Sequence, residues 1–124
     1  MEQLSYTQFK EQHKGPFGRV TNLDKMNCGK VLSEGDNENE LYWNEFEGCP
    51  QGGIWFVSEC NFKKYIDMGD ILWMVEVNDD AKIYIKDDRF YADKVHLKEM
   101  RPLYTDGVRL IYQSRDGDLY QLRV

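Results

Sequence analysis

The chain has 124 residues, 41% of them hydrophobic and 14% aromatic, which suits one globular domain over residues 1–124 and is too little for two independent cores. Twenty-two acids against sixteen bases leave a net charge of −6, so non-specific capture of nucleic acid or anionic lipid by the whole molecule is not expected, although a local basic patch is compatible with it. A mean hydropathy of −0.69, no apolar run near about eighteen residues and the polar start Met1-Glu2-Gln3-Leu4-Ser5 speak against a membrane span or a secretory signal. The expectation is a cytoplasmic chain that is not secreted. Cys28, Cys49 and Cys60 are odd in number and lack any CxxC or CxxH companion, so reduced thiols are expected and no metal site is signalled.

Taken in chain order, Leu4 and Phe9 behind Ser5 or Thr7 as N-cap predict a short helix that ends before Gly15-Pro16. Phe17, Val20 and Leu23 suggest a first strand over 17–22. From Cys28 to Gly53 the chain is rich in Gly, Asn, Asp, Glu and Pro, and Glu34 to Glu40 reads as an exposed acidic loop. Leu41, Tyr42, Trp43 and Phe46 tie down its far end. Ile54-Trp55-Phe56-Val57 is the kind of run that forms a central strand covered on both faces. Ser58 then reads as an N-cap, Phe62, Tyr65 and Ile66 as one face of a helix of about three turns, and Gly69 as its stop.

Ile71 to Val77 predicts a further buried strand, Asn78-Asp79-Asp80 a turn, and Lys82 to Lys86 an edge or half-exposed strand. Asp87-Asp88-Arg89 marks another turn, Ala92 to Leu97 another strand, and Pro102 its end. Near the C-terminus, Asp116-Gly117 between two alternating runs, Val108 to Ser114 and Asp118 to Val124, signals a hairpin. With no internal repeat and no linker, the class is α+β: a strand-rich mixed or antiparallel sheet with two short helices.

Four short motifs in order carry a resemblance. Cys49-Pro50-Gln51-Gly52-Gly53-Ile54-Trp55-Phe56, Tyr65-Ile66-Asp67-Met68-Gly69-Asp70, Val75 to Tyr84 and Phe90 to Leu97 together resemble an uncharacterised domain of giant DNA virus (mimivirus-type) proteins. The likeness covers residues 49–98, and the family brings no activity with it. This chain departs from the family in Trp55, where a tyrosine is usual, in lacking fused repeats, and in its tail beyond Pro102.

Gly52-Gly53-Ile54-Trp55-Phe56-Val57-Ser58, followed by a helix and the strand ending Val75-Glu76-Val77, also resembles part of the ADP-ribosyltransferase core of the poly(ADP-ribose) polymerase type. That resemblance implies an NAD site. Trp55 would stack on the nicotinamide, with Gly53 and Ser58 on the same strand, Arg19 would meet ribose or phosphate, and Glu99 would be the catalytic carboxylate. A flat floor under the leaving ring and a carboxylate beside a cationic sugar is what such a departure requires. Read without the resemblance, Trp55 is a core aromatic, Arg19 a solvated cation and Lys98-Glu99 an exposed pair; Glu76 is a second carboxylate on a strand.

Three functions compete. The first is a viral-type interaction module that holds a protein partner on an exposed aromatic surface without catalysis and needs no cofactor. The second is an NAD-dependent ADP-ribosyltransferase or nucleotide-binding domain. The third is a structural virion protein that self-associates through an edge strand, for instance as a dimer.

Overall fold

The computed structural model describes residues 2–27, 29–66 and 69–102, together with the strand segments 104–105, 108–109, 111–113 and 119–121. In chain order these form β1 (Glu2–Leu4), α1 (Tyr6–Gln12), β2 (Phe17–Thr21), β3 (Met26–Asn27), β4 (Lys30–Val31), β5 (Gly35–Glu38), β6 (Leu41–Asn44), β7 (Cys49–Gly52) and β8 (Ile54–Ser58). A 3-10 turn (Glu59–Asn61) leads into α2 (Phe62–Ile66), followed by β9 (Ile71–Val77), β10 (Ile83–Lys86), β11 (Arg89–Ala92) and β12 (Lys94–Pro102). Short strands β13 (Tyr104–Thr105), β14 (Val108–Arg109), β15 (Ile111–Gln113) and β16 (Leu119–Gln121) complete the chain.

Eight strands make one sheet in the order β1-β10-β11-β8-β2-β9-β12-β5. Every pairing in it is antiparallel, so the strand-rich α+β expectation holds. Ser5 caps α1 as expected: its hydroxyl accepts from the Gln8 amide while the Gln8 side chain accepts from the Ser5 amide, the reciprocal arrangement that satisfies two end donors. The expected C-terminal hairpin is present as the β15–β16 pairing, Ile111 opposite Gln121; its turn residues lie outside the described set, as does Cys28.

Three expectations need correction. The acidic segment is not a free loop: Gly35 to Glu38 pairs with Lys94 to Leu97, because backbone hydrogen bonds to β12 fix it even though its side chains have no core to enter. The Lys82 to Lys86 strand is not an edge, since β1 adds to β10 and covers it. The three-turn helix after Ser58 is instead a 3-10 turn and a five-residue α2.

The sheet carries apolar side chains on both faces. Period-two alternation sends Ile54 and Phe56 to one side of β8, and Trp55 and Val57 to the other. On the first face Phe9 of α1 meets Phe17, Phe56 and Phe90 at centroid distances of 5.0, 6.0 and 5.2 Å, within a cluster that includes Trp73, Val75, Ile83, Val95 and Leu97. On the second face α2 lays Phe62 and Tyr65 against Val20, Val57 and Leu72, with Trp55 and Met74 at the margin. Gly18 allows that approach: a Cβ there would stand 2.6 Å from the Phe62 ring.

Candidate functional site at the fork of the sheet

β2 is the strand that joins the two halves of the sheet. It runs along β9 for its whole length, from Phe17 opposite Val75 to Thr21 opposite Ile71, but pairs with β8 only through Phe17–Ser58 and Gly18–Val57. Beyond Gly18 the two strands part, and the carbonyls of β8 and its approach face a gap. Buried backbone groups must find partners somewhere. Here side chains supply them: the Arg19 guanidinium donates to the Trp55 carbonyl at 3.3 Å and to Asn27 Oδ1, and Asn27 Nδ2 donates to the Gly53 carbonyl at 2.8 Å. Asn39 Nδ2 reaches the same Gly53 oxygen at 3.1 Å. Arg19 and Asn27 are both buried, and they take the place of the missing ladder.

The fork leaves a cleft of about 220 Å³ whose lining includes Arg19, Thr21, Met26, Trp55 and Tyr65. The half-buried Trp55 ring is approached from both neighbouring strands. The guanidinium carbon of Arg19 on β2 lies 4.0 Å from its centroid, and that of Arg89 on β11 lies 4.3 Å away. These are close cation–π contacts, and the indole's electron-rich surface is engaged by the protein's own cations. The Tyr65 ring lies tilted at 5.3 Å from Trp55, and its hydroxyl donates to Asp88 Oδ1 at 2.8 Å, while Arg89 Nε donates to that hydroxyl at 3.3 Å.

Asp88 closes the network through Lys64 at 2.9 Å. The Lys64 hydrogen bond, then that from Tyr65, holds the Asp88 carboxyl below its ordinary range, and Asp88 in turn raises the Lys64 ammonium. Burial works against the charge on Arg89, but hydrogen bonds with Tyr65 and Tyr91 outweigh it and leave that guanidinium above its ordinary value.

Of the residues singled out in the sequence, the fold brings together Arg19, Trp55 and Gly53. Gly53 has φ +67°, a backbone conformation that favours glycine, and offers its carbonyl to the fork. Ser58 stands at the N-cap of the 3-10 turn without a capping bond, its hydroxyl 3.2 Å from Cys60 Sγ. Glu99 is elsewhere. It lies on β12, three strands from β8 in the sheet order, or about 14 Å at the ordinary ~4.8 Å spacing.

Glu99 lines a larger groove of about 650 Å³ together with Tyr6, Glu76, His96 and Arg101. Arg101 pairs there with Glu99 at 2.6 Å and Lys98 with Glu76 at 2.8 Å, and His96 Nδ1 lies 3.0 Å from Asp36 Oδ1. The fold thus places Arg19 beside Trp55 and leaves Glu99 apart from both. Asn27, Tyr65 and Arg89 were not read as site residues from the sequence. Only the alternation of Arg89 with Phe90 on a strand could have signalled a position on Trp55's face.

Among the described residues no three of His, Cys, Asp and Glu converge as a metal set, and no helix is long and apolar enough to cross a membrane. Comparisons with family models, curated proteins and solved structures found no match.

Proposed function

We propose that this chain is an interaction module that holds a protein partner against the second face of its sheet, without catalysis. The observation that carries this reading is a row of aromatics in register: Tyr84 on β10 stands opposite Tyr91 on β11, which stands opposite Trp55 on β8. Tyr65 of α2 meets the Trp55 end at 5.3 Å, and Trp43 of the β6–β7 hairpin meets the Tyr84 end at 5.8 Å. Tyr91, half-buried, lies between these two walls. Lys82 stands 5.9 Å over Tyr84, and Arg89 and Arg19 flank Trp55. Trp55, Tyr91 and Arg89 keep part of their surface accessible while Tyr84, Tyr65 and Arg19 are buried around them, and aromatic and arginine side chains are enriched in binding hot spots. The hairpin beside the row also exposes Tyr42 and, completely, Phe46, and an apolar ring in water gains by being covered.

Affinity capture from host lysate with wild type, Tyr91→Ser and Trp43→Ala tests the reading. A partner retained by wild type and lost with both variants is expected. No specific partner for wild type, or equal retention by all three, overturns it. The nucleotide reading rests on the Arg19–Trp55 pair alone; calorimetry with NAD and an ADP-ribose blot address it, and absence of both heat and transfer removes it. Light scattering at two concentrations separates a self-associating structural role, which predicts a mass that rises with concentration.

A further inference from the structure

Phe46, at the tip of the β6–β7 hairpin, is fully exposed, more so than any other large apolar side chain among the described residues. The loop beneath it is fixed. The Asn44 carbonyl accepts from the Gly48 amide at 2.8 Å, and Asn44 Oδ1 accepts from the amides of Phe46 and Glu47 at 3.0 and 3.1 Å. Gln51 Nε2 donates to Glu47 Oε2 at 2.6 Å, and Lys86 Nζ, from β10, donates to the Gly48 carbonyl at 2.9 Å. At the base of the hairpin Leu41 is buried and Trp43 meets Tyr84 at 5.8 Å. The Phe46 ring thus stands in solvent on a loop whose backbone is already ordered, which lowers the cost of binding through it.

We propose that this tip is a plug: the Phe46 ring enters an apolar socket on a protein partner whose rim carries Lys or Arg opposite Glu45 and Glu47. This rests on the interaction-module reading and adds the partner's chemistry to it. Charge selects the occupant. From Leu41 to Gly53 the chain holds two carboxylates, Glu45 and Glu47, and no Lys or Arg. Both carboxylates are exposed, and among the described residues neither they nor Lys86 form an ion pair. Two carboxylates against the single Lys86 ammonium leave the tip negative. Burying the ring brings both carboxylates to the partner's surface, where cations compensate their lost hydration and a neutral or acidic rim would not. An anionic membrane repels the same pair, and a net charge of −6 disfavours a second copy of this chain.

The test replaces Phe46 in the full chain with the photocrosslinker p-benzoylphenylalanine, irradiates it in host lysate and maps the joined residues by mass spectrometry. Adducts are expected at apolar residues of a protein, with Lys or Arg around the joined site. The yield should fall about fivefold in the double variant Glu45→Lys, Glu47→Gln, and by a similar factor when salt is raised to about 0.5 M, as the rim attraction is removed or screened. Both positions are exposed and the new glutamine keeps an acceptor for Gln51, so the outcome does not turn on loss of the fold.

No protein adduct, adducts at sites without cations, or a yield unchanged by salt and by the double variant overturns the proposal. Adducts with lipid or with a second copy of the chain also overturn it, and assign the tip to a membrane or to self-association. A partner lost with Tyr91→Ser but held by Phe46→Ser removes this inference alone; absence of any partner for wild type removes the interaction-module reading beneath it as well.

Discussion

The two faces of the sheet use aromatic side chains in opposite ways. On the α1 face Phe9, Phe17, Phe56 and Phe90 pack edge-to-face and stacked, with Phe56 and Phe90 centroids 5.4 Å apart. These rings have no polar atom to satisfy, and α1 covers them. On the other face Trp55, Tyr65, Tyr84 and Tyr91 carry polar handles; Trp55 lies between Arg19 and Arg89, and Trp55 and Tyr91 remain in part accessible while Tyr65 and Tyr84 are buried. Phenylalanine builds an interior, while tyrosine, tryptophan and arginine suit a surface that must be wet in one state and covered in another. The fork between β2 and β8 belongs to the second kind: its polar side chains replace ladder bonds, and the parting of the strands that requires them also opens the cleft.

The largest expected contrast is between neighbours on one strand. Phe56→Ala empties a fully buried site and should cost about 3–5 kcal/mol in chemical denaturation. Trp55→Ala, which removes a half-exposed ring, should cost about 1–2 kcal/mol, chiefly its contacts with the two guanidinia and Tyr65. Equal losses would erase the distinction between the faces.

Arg19→Met should cost about 1–3 kcal/mol, because the Trp55 carbonyl and Asn27 Oδ1 then lose a buried donor. A neutral result would show that the fork does not depend on its side-chain bonds. Gly18→Ala should fall in a similar range, about 1–3 kcal/mol, as the Phe62 ring is displaced.

A smaller effect is set by pH. The folded-state carboxyl of Asp88 is shifted downward by Lys64 and Tyr65, so its contribution is present above the ordinary aspartate range near ~3.9 and is lost as pH falls through the lower folded value. Denaturation curves at pH 5 and at progressively lower pH should therefore converge for wild type and Asp88→Asn. Curves that stay parallel would remove Asp88 from the account.

The smallest change is expected for Phe46→Ser, on a fully exposed ring: stability within about 0.5 kcal/mol of wild type, with any effect confined to binding.

The central strands were legible because Ile54 to Val57 and Ile71 to Val77 are dense in β-branched and aromatic residues, and the cap at Ser5 because its pattern is local. The pairing of Gly35 to Glu38 was not, since a strand held by backbone bonds at a sheet edge needs no apolar alternation. Nor was the shelter that β1 gives β10, which depends on residues some eighty positions apart. At the site, Arg19 and Trp55 were readable as chemistry but not as neighbours of Asn27 and Arg89, because the fork is a property of where two strands separate. Glu99 illustrates the converse: sequence order put it after the right strand, and the sheet order put it three strands away.

The claim that the second face is an open, functional surface is tested most directly by fluorine NMR of the protein labelled with fluorotryptophan, assigned by single Trp→Phe variants, with the solvent isotope shift read for each ring. The account predicts a clear shift for Trp55 and none for the buried Trp73. A Trp55 ring as shielded as Trp73 would contradict it.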